Sequence, residues 1–560
     1  MYKRQAAPDA ARGPARDTSA DAQAALTPPP DPAPWARYTA GAAFLTAIRA
    51  GHPARAVWAA APGDDAQARL ADALRAALAV GRGALVVVPD ARDLARLDAA
   101  VTTALGPRQH VALSADLGPA ERYRRWIAVR RGTVRAVIGT RAAAFAPVAD
   151  LGLVAVWDDG DDLHVEPRAP YPNVRDVLAL RSSLEGAALL IGGYARTAEA
   201  QLLVDSGWAH AITAPRAIVR AGAPRVTPTG DDFELERDPV AVRARLPSLA
   251  LRTARAALAL DRPVLVQVPR AGYAPSLACV RDRTPARCSF CSGPLAAAGS
   301  GGVARCRWCA RPATDWACPV CGGRAMRAVV IGARRTAEEL GRAFPGARVR
   351  TSGGDAVLDR VEGGAELVVA TPGAEPIAPG GYGAALLLDG WTLLSRADLR
   401  AGEEALRRWF NAAALVAADG QVVIAADAGV AAVQALVRWD PVGHAVRELA
   451  DRTELGFPPA TRMASITGPA PAIQGLLAVA ELPASADRIG PVELDRPFRP
   501  GDAPTPGARD PDAAEQRLLV RVPRGDGPAL ARALHAAASV RSARKDPDPL
   551  RIALDPATLA

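Results

Sequence analysis

All seven cysteines of this 560-residue chain fall between Cys279 and Cys321, a stretch of 43 residues. Six of them form three C-x-x-C pairs: Cys288/Cys291, Cys306/Cys309 and Cys318/Cys321. Two residues between thiolates allow a tight turn to aim both sulfurs at one ion, and two such turns complete a tetrahedral zinc site. Gly293, Pro319, Gly322 and Gly323 suit those turns. Cys279 has no cysteine partner three residues on. Asp282 stands there, and its carboxylate is also a zinc ligand type. Loop lengths favour a nested pairing. The inner site takes Cys288, Cys291, Cys306 and Cys309, with fourteen residues between its two turns. The outer takes Cys279, Cys318 and Cys321, with Asp282 or a water as fourth ligand. A disulfide framework would not confine every cysteine to one short segment, and a redox dithiol fits one C-x-x-C better than three. Two Zn2+ ions are therefore expected.

The rest of the chain limits what this segment is attached to. Half the residues are apolar, enough for several domains with their own cores. No apolar run has the length of a membrane span, and the N-terminus lacks a secretory apolar region, so a cytoplasmic, non-membrane location is expected. A net charge of +9 permits an anionic partner. The only two lysines are Lys3 and Lys545, so no central segment offers the lysine with which a P-loop grips triphosphate. The six histidines (His52, His110, His164, His210, His444, His535) lie outside the cysteine segment and in no catalytic pattern.

Residues 1–37, rich in Ala, Pro and Asp, read as a disordered tail or linker. Short apolar runs then alternate with amphipathic helices, which indicates parallel α/β sheets covered on both faces. The first series spans 38–215. A linker, 216–246, leads to a second series over 247–440, interrupted by the cysteine insertion at 279–322. From 441 to 560 the pattern becomes that of a small α+β domain.

Several stretches resemble one family, the primosomal replication-restart (PriA) proteins, which are superfamily-2 helicase relatives. Ala271–Cys279 is similar to that family's entry to its zinc module, and Thr336–Leu340 with Phe344-Pro345 to the exit. Ile138–Ala142 through Phe145–Pro147 resembles its IGTRSA-F-P segment, and Phe457-Pro458-Pro459 the opening of its C-terminal domain. The resemblance implies an α/β fold of two helicase-like (RecA-like) parallel-sheet lobes, a double zinc-knuckle insertion in the second, and a small α+β C-terminal domain. It also implies a role at stalled or branched forks. The partners would be single-stranded and forked DNA, the replication-restart primosome proteins, the replicative helicase and single-strand-binding protein.

The departures are as informative. Pro62-Gly63-Asp64-Asp65-Ala66 stands where the family's helicases have their Walker A loop, with Asp65 at the phosphate-binding lysine and Ala66 at the Mg2+-binding threonine. Trp157-Asp158-Asp159-Gly160 replaces DEEH, Gly193–Thr197 replaces GSATP, and Ala412–Asp419, in place of the arginine-finger motif, contains no arginine. By the same resemblance, the family's N-terminal 3′-end-binding domain is expected to be lacking ahead of residue 38. The expectation is a degenerate, helicase-dead member, not an enzyme: a zinc-containing DNA-binding protein of replication restart. Two alternatives stand beside it. An active ATP-dependent 3′→5′ helicase would need a substitute cation such as Arg69, which otherwise reads as a solvent-facing helix residue. A structural zinc protein would bind only proteins. Phe290, Trp308 and Trp316 are expected to pack over the zinc knuckles, with base stacking the alternative.

Overall fold

The computed structural model describes residues 27–229, 246–269, 276–281, 284, 286–290, 295–296, 303–306, 311–329, 333–394, 396, 398–494, 515–546 and 548–558. Strands β1 (Arg55–Ala59), β2 (Gly83–Val87), β3 (His110–Leu113), β4 (Ala136–Gly139), β5 (Leu151–Trp157), β6 (Ala188–Gly193) and β7 (His210–Ile212) form one sheet in the order β3-β4-β2-β5-β6-β1-β7. Every pairing in it is parallel. Strands β2, β4, β5 and β6 are buried along their whole length, as continuous apolar runs covered by helices on both faces must be. Each such Val, Leu or Ile contributes roughly 1.5–3 kcal/mol through burial.

A second parallel sheet is built from β8 (Arg225–Pro228), β9 (Val264–Gln267), β14 (Arg348–Ser352), β15 (Glu366–Ala370), β16 (Tyr382–Leu387) and β17 (Val416–Ile424), in the order β14-β15-β9-β16-β17-β8. Between β9 and β14 lies a small antiparallel sheet of β10 (Ser276–Cys279), β11 (Leu295–Ala296), β12 (Arg305–Cys306) and β13 (Met326–Val329). β18 (Thr461–Pro469), β19 (Asp487–Glu493), β20 (Glu515–Pro523) and β21 (Arg551–Leu554) close the chain as a four-stranded antiparallel sheet. The α/β fold with two parallel-sheet lobes, an insertion in the second and an α+β tail is as expected.

Three boundaries differ. The expected linker at 216–246 begins with a helix, Arg216–Gly222, and contains β8, which pairs with β17 at the edge of the second sheet. Its four residues end in Pro228, a residue tolerated on an edge because no partner there needs its N–H. Residues 230–245 lie outside the description. The helix Pro441–Leu455, expected to open the C-terminal domain, packs instead against the helices Ala198–Asp205 and Ala401–Ala413 of the two lobes. At the other end, Ala33–Arg37 of the expected tail forms a 3-10 turn that buries Trp35 completely beneath Trp58 and Phe44.

Candidate functional site

In an open parallel sheet, ligands bind beyond the carboxyl ends of the strands. In the first lobe three segments leave adjacent strands at that edge: Pro62–Asp65 after β1, Trp157–Asp161 after β5 and Gly193–Thr197 after β6. Each is engaged by contacts within the protein itself. Gly63 takes a left-handed φ of +72°. The Asp65 carboxylate accepts from the Ala68 N–H at 3.0 Å and so caps the helix Ala66–Leu78. A helix N-terminus attracts an anion, and here that anion is the protein's own carboxylate. Asp64 beside it accepts the Tyr38 hydroxyl at 2.6 Å and pairs with Arg37 at 3.2 Å and Arg69 at 3.8 Å. Burial and the Asp64 carboxylate push the Tyr38 phenol well above its ordinary pKa. Arg69 is buried, not solvent-facing, and its nearest carboxylate is Asp72 at 3.0 Å.

Trp157 is buried, with its ring 5.6 Å from Trp58 and 5.4 Å from Tyr194. Asp158 and Asp161, which follow it, reach across to the second lobe. Asp158 accepts Arg407 Nη1 at 2.6 Å and Asn411 Nδ2 at 2.8 Å, while Asp161 accepts the same Arg407 nitrogen at 3.0 Å. Arg407 and Asn411 belong to the helix Ala401–Ala413 of the second lobe, and Glu404 holds the remaining Arg407 nitrogens at 2.8 and 3.0 Å. A Cβ at Gly160 would lie 3.0 Å from Arg407 Cδ and from Thr197 Cγ2, so a larger residue there would crowd the guanidinium's approach to the aspartates. Burial works against ionisation of Asp161, yet Arg407 and then Arg408 hold it well below the usual carboxylate range.

A second set of charges continues the seam. Asp159 accepts Thr197 at 2.7 Å and Arg175 at 3.2 Å. Glu403 accepts the Ala198 N–H at 2.9 Å and an Arg452 N–H at 3.4 Å, and Arg400 pairs with Glu199. Arg407 was not found by sequence reasoning. The visible signal was Glu403-Glu404 followed by Arg407-Arg408, opposite charges three and four residues apart on one helix, one turn before the segment inspected for an arginine.

The cysteine insertion brings Cys279, Cys318 and Cys321 together, their sulfurs all within 4.8 Å of one another. Cys279 ends β10 opposite Met326, and its Sγ lies 3.5 Å from that of Cys321, beyond disulfide length. The Cys318–Cys321 turn is closed by Gly322 N–H to Cys318 O and Cys318 N–H to Gly323 O, both at 2.9 Å. Gly322 has φ of +67°, and a Cβ at Gly323 would sit 3.3 Å from the Cys321 sulfur. Three convergent thiols of this kind can hold a metal ion. Cys288 and Cys306 are buried in the same small cluster, the Phe290 N–H pointing at the Cys288 sulfur at 3.4 Å. Cys291, Cys309, Asp282 and Trp308 lie outside the described residues. Trp316 packs in the cluster as expected, but Phe290 does not. It is 66% exposed, with the Arg311 guanidinium 3.7 Å above its ring.

No helix among the described residues is long and apolar enough to cross a membrane. A family model described as the primosomal protein N C-terminal domain matches residues 453–557. The probable replication restart protein PriA of Mycobacterium leprae (strain TN) is 54% identical over 535 residues, covering 94% of this chain and 81% of that protein. The protein of the same name from Mycobacterium tuberculosis (strain H37Rv) is 52% identical over 545 residues, covering 94% and 82%. Among solved structures, RecG bound to a three-way DNA junction aligns over 72% of this chain and 47% of its own, with 12% identity and a TM-score of 0.36. The identity and coverage of the two mycobacterial relatives place this chain in the PriA family of replication restart proteins.

Proposed function

We propose that this chain is a zinc-containing, DNA-binding protein of the replication-restart primosome that recognises stalled or branched forks and helps reload the replicative helicase without hydrolysing ATP. The observation that carries the last point is the seam between the lobes. Phosphoryl transfer needs a cation at the β/γ-phosphates, a carboxylate free to hold Mg2+ and an arginine aimed at the developing charge. Here Asp65 occupies the helix N-terminus, and Arg407 is buried against Asp158 and Asp161. A triphosphate entering the cleft would meet the carboxylates of Asp64, Asp65, Asp158 and Asp161 and would have to break ion pairs that are shielded from water.

For the metal, Cys279, Cys318 and Cys321 supply three thiolates of the outer zinc site. Cys288, Cys291, Cys306 and Cys309 supply the inner one, which makes two ions in all. Bound zinc would tie β10 to the turn before β13 and so hold the insertion's fold. Single-stranded and forked DNA, single-strand-binding protein and the replicative helicase are the partners in this reading, in the cytoplasm.

The test is one preparation of purified protein assayed three ways. A labelled forked DNA should shift at moderate salt, DNA-stimulated ATP turnover should be flat, and elemental analysis should give two zinc ions per chain. Turnover stimulated by DNA would establish the helicase alternative instead. Zinc without DNA affinity would leave a structural zinc protein.

A further inference from the structure

The net charge of the chain is +9, yet one short segment carries a large share of it. From Pro119 to Arg135 there are six arginines (Arg122, Arg124, Arg125, Arg130, Arg131, Arg135) and one acid, Glu121. The segment is the helix Pro119–Arg130 and the turn into β4, on the outermost flank of the first sheet, where β3 is the edge strand. Val129 is the only residue of that helix that is wholly buried.

The six arginines divide by what they touch. Arg125 is structural, donating to Glu121 and to the Ala112 carbonyl oxygen, both at 2.7 Å. Arg135 donates to the Gly81 carbonyl and lies 3.5 Å from Asp150. Arg124 shares Glu121 but leaves 76% of its side chain exposed. Arg122, Arg130 and Arg131 are exposed and have no carboxylate partner among the described residues. Arg108, in the turn before β3, is exposed and unpaired in the same sense, and it lies at the end of the sheet where Arg131 and Arg135 enter β4, because His110 registers with Ala136.

Arg130 and Arg131 sit at the helix C-terminus, where a cation is favourable in any protein. That accounts for two charges and leaves Arg108 and Arg122 without a carboxylate partner among the described residues and Arg124 with only the exposed pairing to Glu121. Arg124 and Arg131 are seven residues apart, two helical turns and about 10 Å along the axis, so these two share a face with Arg130 flanking it, and the charges form a ridge, not a point; Arg122, two residues before Arg124, lies off it. Single-strand sites pair a basic groove with several stacking rings. This ridge has one exposed large aromatic ring, that of Tyr123.

We infer that the Pro119–Arg130 helix is a contact for the phosphate backbone of duplex DNA, gripping an arm of the substrate by charge alone and without reading sequence. The inference rests on the reading that the chain binds DNA, and it adds which surface takes the double-stranded part.

The experiment is fluorescence anisotropy with a labelled blunt duplex and a labelled single strand, titrated from 50 to 200 mM salt, for the full chain and for R124Q/R130Q/R131Q. Each phosphate contact contributes about 0.9 to the slope of log affinity on log salt. The variant's duplex slope should be shallower by about 2.7, so the wild type should lose roughly forty-fold more affinity than the variant across that range. Its single-strand slope should match the wild type, and its melting temperature should fall only slightly, because two cations leave the helix C-terminus. Equal duplex slopes in the two proteins would overturn the assignment, and so would an equal fall on the single strand. A wild type with no salt-dependent affinity for any DNA would fail at the earlier reading, which the first comparison separates from failure here.

Discussion

Arg407 is 1% exposed and surrounded by Asp158, Asp161 and Glu404, two of which belong to the other lobe. Removing one partner of a buried pair strands the others, which costs more than the pair itself is worth. Arg407→Ala should therefore destabilise the protein by about 3–5 kcal/mol in urea unfolding, and Asp158→Asn/Asp161→Asn should restore part of that loss. A variant as stable as the wild type would mean that the seam is open in solution. Glu403 provides the pH signature. Burial pushes its carboxyl up to about 7, Glu199 adding to the effect and Arg452 opposing it. A carboxyl raised in the folded state favours folding fully below its unfolded pKa, and that contribution is lost as pH rises through the folded value. Between about pH 4.5 and 7 the wild type should lose stability relative to Glu403→Gln, whose amide still accepts from Ala198 N–H. Parallel pH profiles of melting temperature for the two proteins would count against it. Asp65 was legible from sequence as a charge reversal inside a loop pattern. Arg407 was missed because the Glu404 spacing marks only a charged helix face, while its partner Asp158 is 249 residues away.

Among the elements, those that read most clearly were the buried strands. β2, β5 and β6 are apolar without interruption, and each is bounded by turn residues or a helix of period 3.6. The elements that escaped are at sheet edges. β14 reads Arg-Val-Arg-Thr-Ser and β8 Arg-Val-Thr-Pro, polar because only one side of each meets a neighbour. The helix Arg216–Gly222 before β8 has no buried residue by which to recognise it. Its final glycine nevertheless has a strict role. A Cβ at Gly222 would meet the Pro62 carbonyl oxygen at 2.2 Å, and backbone cannot swing aside as a side-chain tip would. Gly222→Ala should lower stability by about 1–3 kcal/mol, read by thermal unfolding. A neutral result would show that the Pro62–Asp65 loop moves freely.

At the scale of the whole molecule, the insertion and the lobes should separate in their response to metal. β10 and β13, the two ends of the insertion, pair with each other, Ser276 opposite Val329. The lobe's own sheet is thus complete without the inserted residues. Chelation, or Cys318→Ser, should accelerate hydrogen exchange across residues 277–326 and leave β2, β5, β15 and β16 protected. Loss of protection everywhere at once would make the cysteine module a keystone of the second lobe. The C-terminal sheet is joined to both lobes. Arg551 in β21 lies over the Tyr171 ring of the first lobe at 4.7 Å, and Arg400 of the second donates to the carbonyls of Pro556 and Ala557 at 3.3 and 3.0 Å. Asp555 also accepts from Arg462 and from the Met463 N–H. These groups follow both lobes in the chain, so the lobes can close on each other through Arg407, Asp158 and Asp161 before the C-terminal sheet is there to fasten to either. Losing Pro556 and Ala557 would leave both parallel sheets and that seam complete and would remove only the hold of Arg400 on the segment after β21.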